Sequence, residues 1–141
     1  MRIVMLGTGA ALPDPDRCHT SILITLDSGR HLMLDCGHGA TRQLIRADVN
    51  PAEVGDLFLT HLHHDHVCEL PFFVISGWIL SRVGALNIYG PDGTKKMVSH
   101  LFENGAFDAD IRARGAYPAR QANMEAIRPQ VTEYGEGVVF E

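Results

Sequence analysis

Residues 60–66 read Thr-His-Leu-His-His-Asp-His, so five of seven consecutive side chains can bind a metal or move a proton. They follow directly on Leu57, Phe58 and Leu59, an apolar run without alternation, which is the pattern of a strand buried on both faces. Any fold that accepts this segment must end a core strand at an open, polar edge. A strand end is rigid, and the loop beyond it can curl around an ion. His61 and His63, one residue apart, can both reach one ion from an extended turn. Asp65 and His66 lie a step further on and can address a second ion. Burying four histidines and an aspartate side by side costs several kcal/mol unless each finds a partner, which argues against a plain core segment. Imidazole together with carboxylate suits zinc, with manganese or iron as alternatives.

The remainder of the chain can supply the core that such a strand needs. Its 141 residues fit one domain, and 45% apolar content with a net charge of -5 excludes disorder. The acidic balance argues against a general nucleic-acid binder but leaves room for a local basic groove. The longest apolar run, 70–80, is interrupted by Pro71, Ser76 and Gly77, so no span and no membrane partner is expected. Three cysteines cannot all pair, which implies a reducing cytoplasm. Residues 2–6 read as a strand entering Gly7-Thr8-Gly9, not as a signal peptide. That glycine turn lacks the Lys-Ser/Thr and the spacing of a phosphate loop.

Strands are predicted at 21–26 and 31–35, joined by a hairpin at Asp27-Ser28-Gly29-Arg30, then at 56–60, 85–89, 129–134 and 138–141. Helices are predicted at 40–47, 71–83 and 94–102, and a short turn begins at Pro51 with Asn50 as its cap. Residues 103–128 show little period and read as loop with partial helix. Strands first, then strands alternating with helices, describe an α/β layered domain.

His61-x-His63-x-Asp65-His66 resembles the signature of the metallo-β-lactamase-fold hydrolases. Gly7-Thr8-Gly9 with Pro13, Leu34-Asp35-Cys36-Gly37, Leu59-Thr60, Leu70-Pro71 and Ile88-Tyr89-Gly90-Pro91 fall in the order of that superfamily. Within it these flanks are most similar to the ribonuclease Z group, over roughly residues 1–102. The resemblance implies the N-terminal half of a four-layer αββα sandwich, with a mostly mixed sheet and flanking helices. It implies His61 and His63 as ligands of one zinc, and Asp65 and His66 as ligands of a second. Asp65 is also implied as the catalytic partner of the attacking water. Asp35 is implied to orient a ligand histidine through its free ring N–H, fixing its tautomer. Glu69 and Phe72 stand where the group usually has glycine. His38 and Ala40-Thr41-Arg42 stand where it usually has Glu and then Thr-Gln.

Each catalytic zinc wants at least three protein ligands, and this chain offers two for each. The expectation is therefore a single domain over 1–141 that is truncated, inactive alone, and self-associating or completed by a C-terminal half. Three functions follow. One is a phosphodiesterase of the ribonuclease Z type, with tRNA as the phosphodiester substrate. The second is a hydrolase of a small ester, lactone, sulfate or cyclic phosphodiester. The third is a metal-binding fragment without turnover. His38 and His64 are weaker candidates for substrate contact, although His64 reads more readily as a spacer. His19, His31 and His100 read as surface or satisfied side chains, Cys68 as a buried thiol, and Cys36 as packing. Arg112, Arg114, Arg120 and Arg128 read as a solvated face.

Overall fold

The computed structural model describes residues 1–103, 105–121 and 123–137. Six strands form one sheet in sequence order: β1 (Arg2–Gly7), β2 (Ser21–Thr25), β3 (His31–Leu34), β4 (Val54–Phe58), β5 (Asn87–Gly90) and β6 (Gln130–Glu133). The first three pair antiparallel, and β3 through β6 run parallel, so the sheet is mixed. The crossovers carry α1 (Ala40–Arg46), α2 (His64–Val67), α3 (Leu70–Ile79), α4 (Thr94–Phe102), α5 (Asp108–Gly115) and α6 (Pro118–Gln121).

Register decides which residues meet the helices. Val4, Leu23, Met33, Leu57, Ile88 and Val131 align across all six strands. They meet Leu44 of α1, Phe73, Val74 and Trp78 of α3, and Val98 of α4 in the core. The opposite face carries Met5, Ile22, Leu34, Phe58 and Tyr89 in one row and Ile3, Ile24 and Leu32 in the next. None of these eight belongs to the core cluster among the described residues. The domain is thus a half-sandwich, with helices over one face and an apolar row on the other. No described helix is long and apolar enough to cross a membrane.

The hairpin forms at its predicted place, the predicted helix at 94–102 coincides with α4, and Asn50 accepts the Ala52 N–H at 2.9 Å. Several bounds differ. β4 begins and ends two residues before the predicted strand: the Leu59 amide still donates to the Tyr89 carbonyl, but the Thr60 amide turns to the Asp35 carboxylate. The helix predicted over 71–83 stops at Ile79. Ser81 adopts φ 69, and Arg82 folds back over Gly77 so that its guanidinium reaches the Pro51 carbonyl at 2.9 Å and lies 5.0 Å from the Phe73 ring. Burial pushes the Arg82 pKa down to about 10. Residues 103–128 contain α5, α6 and a 3-10 turn (Met124–Ile127). The strand predicted at 138–141 lies outside the described residues. Cys68 is exposed, contrary to the buried thiol expected, because it lies at the end of the one-turn α2. Cys36 is fully buried.

Candidate metal centre

The site is built from the ends of β3 and β4. Past β3 the chain turns at Asp35, which adopts φ 57, a left-handed conformation that aspartate tolerates better than most residues. Its amide donates to the Phe58 carbonyl at 2.8 Å, so the two strand ends are tied together. Its buried carboxylate accepts the Thr60 amide at 2.8 Å, the Thr60 hydroxyl at 2.9–3.0 Å and His66 Nδ1 at 2.7 Å. With its proton on Nδ1, His66 presents the lone pair of Nε2.

Thr60 Oγ1 also meets His61 Nδ1 at 2.9 Å, leaving His61 Nε2 to face His63 Nδ1 at 3.0 Å. The His61 ring lies 4.5 Å from that of His63 and 4.0 Å from that of His66. The histidine segment is therefore not wholly loop: α2 begins at His64. One helical turn brings His66 back towards His61 and buries Asp65, whose Oδ2 stands 3.5 Å from His66 Nε2.

Two nitrogen ligands of one tetrahedral zinc stand about 3.3 Å apart when each bond is about 2.0–2.1 Å; His61 Nε2 and His63 Nδ1 are already near that separation through a 3.0 Å hydrogen bond, whose proton an ion would displace. Asp65 and His66 offer the oxygen and nitrogen of a second pair. Among the described residues no three His, Cys, Asp or Glu side chains converge as a ready ligand group. The donor chemistry fits zinc in pairs, and each pair falls short of the three ligands a catalytic ion needs.

A second group of histidines lies beside the first. His64 Nε2 meets the Ala11 carbonyl at 3.1 Å, and its ring is 6.3 Å from that of His19. His38 lies 6.0 Å from His19, and its Nδ1 is 3.6 Å from Glu69 Oε2. Cys68 Sγ is 3.9 Å from His19 Nδ1. His19, read from sequence as a bland side chain, is buried at the meeting point of three loops, and positions 19, 38 and 64 share no spacing that announces this. Glu69 stands out in the sequence only as a departure from glycine, with no role attached. Its carboxylate accepts the Gly39 amide at 2.6 Å and the Thr41 amide at 3.2 Å, capping α1. Tyr134 donates to the Leu59 carbonyl at 2.7 Å, and burial together with the Asp35 charge pushes its phenol pKa up.

A family model described as anti-Pycsar protein Apyc1 matches residues 1–110. The chain belongs to that family. The curated relatives of this Apyc1-family chain include a ribonuclease Z from Methanococcus maripaludis, 44% identical over 92% of this chain and 40% of its own length. Another, from Mycobacterium marinum, is 34% identical over 100% of this chain and 50% of its own length. The chain thus spans half or less of these relatives. Among solved structures, the short form of human tRNase Z superposes with a TM-score of 0.65 and 31% identity, over 72% of this chain and 38% of that one. The metallo-β-lactamase-fold protein YhfI of Bacillus subtilis superposes with a TM-score of 0.64 over 94% of this chain and 44% of its own, at 16% identity. The fold is the metallo-β-lactamase fold, in the form of its N-terminal half.

Proposed function

We propose that this chain supplies the N-terminal half of a zinc-dependent phosphodiesterase of the ribonuclease Z type. The supporting observation is the single carboxylate of Asp35, which holds both Thr60 and His66 and so aims two of the histidines from two strand ends. His61 and His63 would hold one ion, and Asp65 and His66 would hold the second. Zinc supplies Lewis acidity at the phosphoryl oxygen and a water acidic enough to react near neutral pH. Asp65, buried beside His66, would orient a water there and hold its proton. Asp35 keeps the proton of His66 on Nδ1, so that Nε2 stays available as a donor of electrons. His38 and His64, at the open side, contact the substrate, for which precursor tRNA is the leading choice given the relatives. Three free thiols suit the reducing cytoplasm.

Residues 1–141 act as one domain whose ligand set is finished by a further half, and the helix-free sheet face, exposed at Ile3 and Met5 and half-buried elsewhere along the row to Tyr89, is the surface against which that half packs. A second reading, a hydrolase of a small cyclic phosphodiester or ester, is favoured by Glu69 and Phe72. Glu69 is committed to the α1 cap, and Phe72 stands 62% exposed one turn along α3 from it, where the ribonuclease Z group usually has glycine.

The test is zinc content and turnover of residues 1–141, alone and joined to the C-terminal half of a ribonuclease Z relative. Precursor tRNA and bis-(p-nitrophenyl) phosphate serve as substrates. The joined protein is expected to cleave the tRNA and the fragment to be silent, with His63→Ala abolishing tight metal while the fold survives. Two tightly held zinc ions in the fragment would overturn the two-plus-two account. Equal metal in His63→Ala and the parent would remove the ligand assignment.

A further inference from the structure

The parallel ladder between β4 and β5 has a gap at the edge of the site. Phe58 aligns with Tyr89, and the Leu59 amide donates to the Tyr89 carbonyl at 2.7 Å. In a parallel pair the next bond runs from the residue two beyond Tyr89 back to the Leu59 carbonyl. That residue is Pro91, which has no N–H to give. The carbonyl just before Thr60 and His61 is therefore an acceptor without its ladder partner. Tyr134 fills the place. Its backbone continues the β6 register, the amide donating to Gly90 at 3.0 Å, and its hydroxyl donates to the Leu59 carbonyl at 2.7 Å. On the other side of the same peptide bond the Thr60 N–H is held by Asp35 at 2.8 Å.

We propose that Tyr134 is a positioning residue for the histidine segment, clamping the Leu59–Thr60 peptide plane from its carbonyl end while Asp35 holds its amide end. With both ends of the peptide dipole bound, the plane cannot rotate, and the direction in which His61 leaves the strand is set. Its bearing on metal rests on His61 and His63 being the donors proposed above. The clamp itself concerns the chain alone.

The test uses three variants of the same chain: Tyr134→Phe, Pro91→Ala and the two combined. Pro91→Ala restores an N–H at the ladder position, so it supplies the Leu59 carbonyl by another route. Imidazole nitrogen resonances of His61 in the metal-free protein are the first readout, and cobalt(II) affinity is the second. Tyr134→Phe is expected to shift or broaden the His61 resonances and to weaken cobalt about fivefold, the scale of one hydrogen bond. The double variant is expected to return both towards the parent. A tyrosine that merely packs would not be rescued by a new backbone donor 43 positions away in sequence. His61 resonances identical in parent and Tyr134→Phe, or altered ones that Pro91→Ala fails to restore, would overturn the clamp. Absence of cobalt binding in every protein would instead remove the metal reading and leave the clamp to be decided by the resonances.

Discussion

Asp35 and Thr60 lie 25 positions apart, yet one carboxylate serves the Thr60 amide, the Thr60 hydroxyl and the His66 ring. Replacing it with asparagine keeps the size and removes one acceptor oxygen, so the amide nitrogen would confront either Thr60 or His66. Asp35→Asn is expected to retain the fold by circular dichroism and to lose about 10–100-fold in zinc affinity by competition titration. An unchanged affinity would separate Asp35 from the ligands. The thiols make a second residue-level expectation. Although Cys68 is exposed, the atoms packed around its thiol desolvate it, and with the charges of Glu69 and Asp65 this raises its pKa from the ordinary 9.0. A raised pKa means less thiolate at any pH below it, so alkylation of Cys68 should lag behind a free thiol at pH 8 and catch up only above pH 9. Full burial raises Cys36 further, and it should resist the reagent until the protein unfolds. Peptide mass spectrometry after timed iodoacetamide treatment reads both. At this scale the clustering of His61, His63, Asp65 and His66 was legible, because one segment carries them. Glu69, His19 and Tyr134 were not, since each acts on a partner 28 or more positions away or on a loop brought near by folding.

Helix α1 shows how an element borrows its terminus from elsewhere. It is seven residues long, and Gly39, at φ 87 before its first turn, has no side chain with which to cap it. Glu69 supplies the carboxylate, in the place where the resemblance expected glycine. Glu69→Ala is expected to cost about 1–2 kcal/mol in urea unfolding, the usual worth of an N-cap, with little change if Glu69 were only a solvated charge. The turn before it is equally constrained: a Cβ at Gly37 would overlap the Asp65 carbonyl oxygen, so that close approach is reserved for glycine. Element types were readable from period and turn residues, as the β2–β3 hairpin and α4 show. The bounds of β4 and α3 were not, because an unbroken apolar run gives no periodic sign of where it ends, and tertiary partners ended both. The end of α3 is marked by Arg82 turning back to Pro51, a contact across 31 positions.

Across the whole molecule, the sheet has two faces of different fate. Both alternate apolar residues along β1 to β5, but only one meets helices. The row from Met5 to Tyr89 is exposed at Met5 and half-buried at Ile22, Leu34, Phe58 and Tyr89, and covering the apolar surface it still shows favours association. As residues 1–141 alone, the chain is expected to pair with a second copy through this face. Sedimentation should show a dimer at high concentration, and Ile24→Lys should return it to monomer while α1 and α3 remain packed. A parent that stays strictly monomeric would refute the pairing. Sequence alone determined that a histidine-rich segment ends a buried strand, and in which superfamily the chain falls, because those facts reside in neighbouring residues. Only the tertiary structure decided that Asp35 takes His66 among the histidines and holds Thr60 as well, what caps α1, and that Tyr134 takes over where Pro91 has no hydrogen to give. Those pairings depend on strand register and chain crossovers, which no local pattern of residues encodes.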